Sequence, residues 1–576
     1  MLVADDHSTS RASQRHDRRR HDEPTAERLF SRGQLIVVGI CISVTILSLL
    51  IWPLTALTAL VALCVAFYAL FGILKLSVSI AGRKHVPLVR LMQRSDDPTL
   101  PRYAVLLPVH KEANMLRHLV ARIDRLDYPK DRLRVLLLIE HDDLETLEAA
   151  RAMGLRFPGA EPADDRPFPH LSVVVVPPGG PKTKPNAMNE AMPLVLAEGC
   201  EYLTIYDAED RPDPDQLLKA VGTFRLAPPR VACLQAELAF WNDDTNWITA
   251  LYWIGYKVHF LRFLPGMARL GLPLPLGGTS NHFRVSALTD AAAVLGGRVW
   301  DPHNLTEDAD LGARLVAAGY RIELLRSTTM EEAPAALRIV DKQQRRWKGG
   351  YLQTGLVHTR HPLAAIRRLG FGRWFAFNLL MLGTPLSFLL NPLFLGLTAV
   401  YFSTRADLIS DLFPAAVYYP SLALFVLGNF ALLYELMETC LEEAERTRGR
   451  FGLLKFMLMS QVMWLWMSRS TYIAVFELVT GRRGWHKTPH GQEVDEEELA
   501  ALGLDREMPV RAPGPAPAPA PAHIAWPTPT ATPAPAPASL PRRNQSGNIY
   551  VPGRRPATPA PAAYDDLAVS GQDYQW

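Results

Sequence analysis

The chain has 576 residues, 48% hydrophobic and 21% charged, with a formal net charge of +3. That balance carries no electrostatic footprint for nucleic acid. Five scattered cysteines (Cys41, Cys64, Cys200, Cys233 and Cys440) have neither metal-site nor disulfide-framework spacing, so a reducing setting suits the soluble part.

Residues 1–30 are polar and include "RHDRRRHD", which predicts a disordered basic cytosolic arm. Over 31–77, the apolar runs Leu35–Trp52 and Leu54–Leu76 are split by Pro53. Each can cross roughly 30 Å of hydrocarbon as a helix. They predict a transmembrane hairpin, with the arm and Lys75, Arg83 and Lys84 on the inner side.

Between 100 and 361 the composition becomes that of a cytosolic globular domain. "RYAVLLPVH", "RVLLLIEHD", "LSVVVVPP" and "EYLTIYDAED" are strand-type runs separated by helix-compatible segments. The alternation predicts parallel strands with crossover helices, an open α/β sheet. Ligands of such sheets bind beyond the carboxyl ends of the strands.

Interface and transmembrane helices are expected over 362–480. "PLAAIRRLGFGRW" (362–374) is amphipathic and suits the interface. Apolar runs follow at Trp374–Phe402, Ala415–Glu435 and Leu453–Val479. Three simple crossings would put the basic "GRRGWHKTPHG" (481–491) outside, against the positive-inside trend. Either the last run lies in the interface or re-enters, or the first, with Pro385 and Pro392, hides a hairpin. Residues 492–576 are Pro/Ala-rich and predict a disordered tail.

Acidic residues mark the predicted strand ends. The first run leads to Glu112, the second to Asp142 and Asp143, the fourth to Asp207, Glu209 and Asp210. Two carboxylates spaced two residues apart can face one hard divalent cation, although Asp and Pro are also common turn residues. After the third run, "PPGGPKTKPNAMNEA" sets Lys182 and Lys184 at a helix start, where a phosphate can be met. Thr306, Glu307 and Asp308 precede a helix with Leu311 and Leu315. Thr306 there reads as a cap, and Asp308 as a cap-region acid or a general base. "VDKQQRRWKGGYLQT" (340–354) gathers Lys342, Arg345, Arg346 and Lys348 around Trp347, either as a membrane flank or as an anion site.

Taken in order, "DAE" at 207–209, "TED" at 306–308 and "QQRRW" at 343–347 resemble the motifs of processive family 2 glycosyltransferases, the cellulose-synthase-like membrane enzymes. The resemblance implies a nucleotide-sugar-binding domain of the glycosyltransferase A type, inserted between transmembrane helices of a bacterial inner membrane. It implies a UDP-sugar donor, first UDP-glucose, and a growing β-linked polysaccharide acceptor, with export partners conceivable. By resemblance, Glu112 with Asp142 or Asp143 holds the uridine, and Lys184 with Arg346 the diphosphate. Asp207 and Glu209 face Mg2+ or Mn2+. Asp308 is the catalytic base within Thr306–Asp308. Gln343, Trp347 and the "GGTSNHF" loop, with Gly278 and Thr279, meet the acceptor. Residues 481–491 resemble a gating segment. Glu209 departs from the commoner second aspartate, and His110 from the usual aromatic before Lys111. The competing readings are a transferase that loads one sugar onto a lipid phosphate and a non-catalytic polysaccharide channel.

Overall fold

The computed structural model describes residues 25–85, 93–159, 167–447 and 459–481. The expected gating segment after Gly481 and the Pro/Ala-rich tail lie outside them. Ser31 opens the first helix with a capping box, its hydroxyl accepting the Gln34 N–H while the Gln34 side chain accepts the Ser31 N–H. This helix, α1 (Arg32–Ile51), gives way to α2 (Pro53–Arg83), where Pro53 occupies a first-turn position that needs no N–H. Both are long and apolar enough to cross a membrane.

The globular part continues as β1 (Tyr103–Val109), α3 (Leu116–Asp124), β2 (Leu133–Glu140), α4 (Leu144–Ala152), β3 (Leu171–Val176), α5 (Lys184–Ala197) and β4 (Tyr202–Ile205). These strands are the four read from the sequence, and they run parallel in the order β3-β2-β1-β4. In β1, Ala104 and Leu106 join the core cluster of Met188 and Ala191, while Val105 and Leu107 join that of Leu119 and Ile123. Burial on both faces explains why the strands read as unbroken apolar runs.

Then come β5 (Arg211–Pro212), α6 (Gln216–Leu226), β6 (Val231–Phe240), α7 (Trp247–Val258), a π-helical turn (His259–Phe263), α8 (Leu264–Leu270), β7 (Asn281–Arg284), α9 (Val285–Ala292), α10 (Glu307–Ala317), β8 (Arg321–Glu331) and α11 (Leu337–His358). The sheet has eight strands, in the order β3-β2-β1-β4-β7-β6-β8-β5. It is mixed, which corrects the parallel expectation: β7 is antiparallel to both neighbours and β5 to β8. The cause is local. The chain between β6 and β7 makes a helical excursion over α7 and α8, and returns through Ser280, held at φ 54.

Beyond α11 lie α12 (Pro362–Leu369), α13 (Phe371–Thr404), α14 (Asp407–Asp411), α15 (Ala415–Thr447) and α16 (Ser460–Val479). α13 runs on through Pro385 and Pro392, so no hairpin hides there. α13 and the Ala415–Glu442 stretch are long and apolar enough to span. α16 packs along α11 instead, with Arg469 and Ser470 on Asp341 and Glu477 on Arg345. Phe71 and Val78 of α2 and Phe377 and Leu380 of α13 share one apolar cluster with Leu264, Met267 and Trp300. The core of the globular domain is therefore continuous with the long apolar helices α2 and α13. Residues 25–30 also depart from expectation: Ala26 is 1% exposed, docked on the domain rather than part of a free arm.

Candidate active site

β4 ends at Ile205, so Asp207 and Glu209 stand just past its carboxyl end, where an open α/β sheet receives ligands. Lys184, the first residue of α5, donates from its ammonium to Asp207 Oδ1 and, at 2.8 Å, to the Gly278 carbonyl. Gly278 has φ +78, and a Cβ there would sit 3.1 Å from Asp308 Oδ2. Asp207, Lys184, Gly278 and Asp308 are thus successive neighbours, although they come from four separate stretches of the chain.

The loop that presents Asp308 is held from three sides. Thr306 precedes α10 but makes no side-chain cap; its hydroxyl instead meets Thr354 Oγ1 at 3.1 Å on α11. The capping expectation for Thr306 is corrected because α11 comes very close: a Cβ on Gly350 would collide with the Thr306 side chain. Asn304 donates to Thr354 Oγ1 at 2.9 Å, and the Leu305 N–H donates to Gln353 Oε1 at 3.1 Å. From the second side, buried Asp301 accepts the Thr25 hydroxyl at 2.8 Å and the Ala26 N–H at 2.5 Å. From the third, the Thr183 hydroxyl, next to Lys184, donates to the Pro302 carbonyl at 3.0 Å.

Burial pushes the Asp308 carboxyl up to about 6, against the pull of the Ala309 N–H, Lys184 and Arg346. Burial and then the Asp308 charge raise adjacent Glu307 to about 8. Glu209 rises to about 8 through burial, Asp207 and Glu112. Asp210 is driven well up by burial, Asp207 and Glu209, although it accepts the Thr279 hydroxyl and the Asp207 N–H. Burial works against the charge on Lys184, yet Asp207 and Glu307 hold its ammonium above the ordinary value.

Sequence reasoning missed Glu331, at the end of β8, whose carboxyl is raised by burial and by Asp210, Glu209 and Asp207. Its signal is an acid closing the strand-type run "RIELLRSTTMEE". Asp207, Glu209, Asp210 and Glu331 are all oxygen donors coupled through their charges, without the mutual ligand spacing of a preformed metal site. Asp210 Oδ1 is buried without a hydrogen-bond partner. Such a set suits a hard divalent cation such as Mg2+ or Mn2+.

On the donor side, Glu112 is 8% exposed and its charge bears on Glu209. Lys111 before it has φ 55, and its N–H donates to Asp143 Oδ2 at 2.5 Å. Asp143 also caps α4 through the Thr146 N–H, so it braces this turn. Asp142 is exposed and paired with Lys182. Asp142, Glu140 and His141 place one ligand atom each within 4.8 Å of one another, the grouping with metal-ligand spacing among the described residues.

The four cations around Trp347 do different things. Arg345 is bound to Asp341 and Glu477 and holds α11 against α16. Arg346 faces Glu307 and Asp308 electrostatically. Lys342 is half-buried, while Lys348 is 7% exposed. Gln343 keeps a buried Oε1 with no hydrogen-bond partner, and half-buried Trp347 packs in the Trp253–Trp466 cluster. Thr279 is 2% exposed with its hydroxyl on Asp210, so it stands behind the acids and not on an acceptor surface.

Residues 202–434 match the family model described as "Glycosyl transferase family group 2". The stretch includes Asp207, Glu209, Asp308, Arg346 and Trp347. Among curated relatives, "Probable glucomannan 4-beta-mannosyltransferase 10" of Arabidopsis thaliana is 26% identical over 260 residues, covering 44% of this chain and 43% of that protein. "Glucomannan 4-beta-mannosyltransferase 7" of the same plant is 24% identical over 314 residues, covering 50% and 52%. The chain therefore spans about half the length of these relatives. A solved structure, "Mannosyltransferase PcManGT from Pyrobaculum calidifontis in complex with GDP-Man and Mn2+", is 18% identical. It covers 74% of this chain and 100% of its own, with a TM-score of 0.43, at which the likeness carries no argument. Within its α/β fold, residues 202–434 of this chain are thus similar to glycosyltransferases of family group 2.

Proposed function

We propose that the chain transfers a hexosyl group from a nucleoside-diphosphate sugar to a growing β-linked polysaccharide, with inversion, and passes the product through its membrane helices. The observation that carries the reading is the contiguity of Asp207, Lys184, Gly278 and Asp308. On this reading Lys184 is the cation that meets the diphosphate and half-buried Asp308 is the base. Asp207 and Glu209, backed by Asp210 and Glu331, would hold a divalent cation, which supplies charge neutralisation for the diphosphate.

Lys184 and Arg346 stabilise the negative charge that gathers on the leaving diphosphate, more in the transition state than in the ground state. Arg346 suits this because a guanidinium binds phosphate oxygens bidentately and stays charged. Asp308, with a carboxyl near 6, is ionised at neutral pH and accepts the acceptor hydroxyl's proton. Glu307, held near 8, stays largely protonated there and leaves Asp308 as the base. One base with a stabilised leaving group calls for a single displacement, hence inversion. The unpaired Gln343 Oε1 offers an acceptor hydroxyl a hydrogen-bond partner.

The names of the relatives favour a mannosyl donor over the UDP-glucose that the sequence resemblance implies. Membranes incubated with labelled GDP- and UDP-hexoses, followed by linkage-specific glycosidases, test the reading. A β-linked polymer is expected from one donor, and absence of transfer from every donor would refute it.

A further inference from the structure

α11 meets the start of α10 along one stripe. Arg346, Gly350, Thr354 and His358 recur every fourth residue and so lie on one face of the helix. Arg346 bears electrostatically on Asp308, a Cβ on Gly350 would collide with Thr306, and Thr354 is bonded to Thr306 and Asn304. His358, the last residue of α11, completes the stripe: its Nε2 lies 2.9 Å from Asp310 Oδ1.

Asp310 stands two residues after Asp308 in the first turn of α10. At about 100° per residue, the two carboxylates leave the helix on nearly opposite sides. Asp308 lies against Gly278, while Asp310 is turned into the protein and buried. The groups that grip Asp310 therefore set the roll of α10, and with it the direction in which Asp308 points. Arg314, one turn on, donates from Nε to Asp310 Oδ2 at 2.8 Å. It also donates to the carbonyls of Val299 at 2.6 Å and Ala291 at 3.2 Å, which ties α10 to the end of α9. His358 is the tie from Asp310 to α11, the helix that carries Arg346.

Burial works against the Asp310 charge, but Arg314 and then His358 hold its carboxyl down to about 2. An ionised carboxylate only accepts, so the bonding hydrogen sits on His358 Nε2 and the bond is charge-assisted. His358 is itself braced by α13. Its ring stands edge-on to buried Phe377, with centroids 5.3 Å and planes 80° apart, and its carbonyl accepts the Trp374 Nε1–H at 3.2 Å.

We infer, on the transferase reading above, that His358 is a positioning residue: through Asp310 it fixes the roll of α10 and so aims Asp308 at the acceptor hydroxyl. A purely structural role would show as lost stability, with the chemistry of the folded molecules intact.

The test compares His358→Gln with His358→Asn in the full chain in lipid nanodiscs. Transfer is assayed with labelled GDP- and UDP-hexoses, and binding of GDP and UDP by calorimetry. The glutamine amide reaches the place of Nε2 and can still donate to Asp310, whereas the asparagine amide stops at the place of Nδ1. His358→Asn should lower kcat by roughly 10–10²-fold, within what a misplacement of about 1 Å costs, with donor KM and nucleotide affinity within about twofold of wild type. His358→Gln should recover most of that loss. In an Asp308→Asn background, where no base is left to aim, His358→Asn should lower the residual transfer by less than about twofold. An undiminished kcat in His358→Asn, an equal loss in both variants, or a full further loss in the Asp308→Asn background would overturn the positioning role. Loss of nucleotide binding in either variant would mark His358 as needed for the fold and overturn it as well. Absence of transfer by wild type from every donor would instead sink the transferase reading.

Discussion

At the scale of single residues, the proposed chemistry turns on the protonation of Asp308. As a base it must be ionised, so log(kcat/KM) should climb as pH rises through about 6 and level off above it. A profile flat from pH 5 to 8 would contradict the role. Asp308→Asn should cut kcat by roughly 10²–10⁴-fold, the usual worth of acid–base assistance, while nucleotide still binds by calorimetry. Arg346→Ala should weaken nucleoside-diphosphate binding, and an unchanged affinity would return Arg346 to a membrane flank. The placement of Asp207 and Lys184 past apolar runs, and of Asp308 at the start of a helix with Leu311 and Leu315, was legible from those local patterns. The separate fates of Arg345, Arg346 and Lys348 were not, since one helix turn sends adjacent cations toward different neighbours.

At the scale of elements, the loop of residues 301–306 is the piece whose position matters most. Asp301 is fixed by Thr25 and Ala26, and Asn304 and Thr306 by Thr354. Thr25→Val removes a hydrogen bond to a carboxylate, worth about 1.5–3 kcal/mol where the donor or acceptor is charged. The expected outcome is slower turnover at saturating donor with nucleotide affinity retained. A loss of affinity alone, with kcat intact, would show that the clasp does not position the base. Gly350→Ala should destabilise by about 1–3 kcal/mol, because the new methyl must push Thr306 or α11 aside. Strands β1–β4 were readable since two-sided burial writes continuous apolar runs. The antiparallel β7 reads "NHFR", a polar tetrapeptide whose pairing depends on partners far away in the chain. The docking of residues 25–30 was hidden for the same reason: its bonds reach some 275 residues along the chain.

At the scale of the whole molecule, the apolar cluster that joins α2 and α13 to the sheet makes the globular domain and these long apolar helices one packed body. Chain order and membrane spans could be read from composition; that shared core could not, because it is built from side chains on segments that the sequence keeps apart. Removal of divalent cations with EDTA should abolish transfer and weaken nucleoside-diphosphate binding, restored by Mn2+ or Mg2+. The most direct test is electron cryomicroscopy of the full chain in lipid nanodiscs with nucleoside diphosphate and Mn2+. The diphosphate should lie among Asp207, Lys184 and Arg346, with Asp308 facing the open side. Nucleotide density elsewhere, for instance over Glu140, His141 and Asp142 with Asp308 turned away from it, would contradict the single shared site.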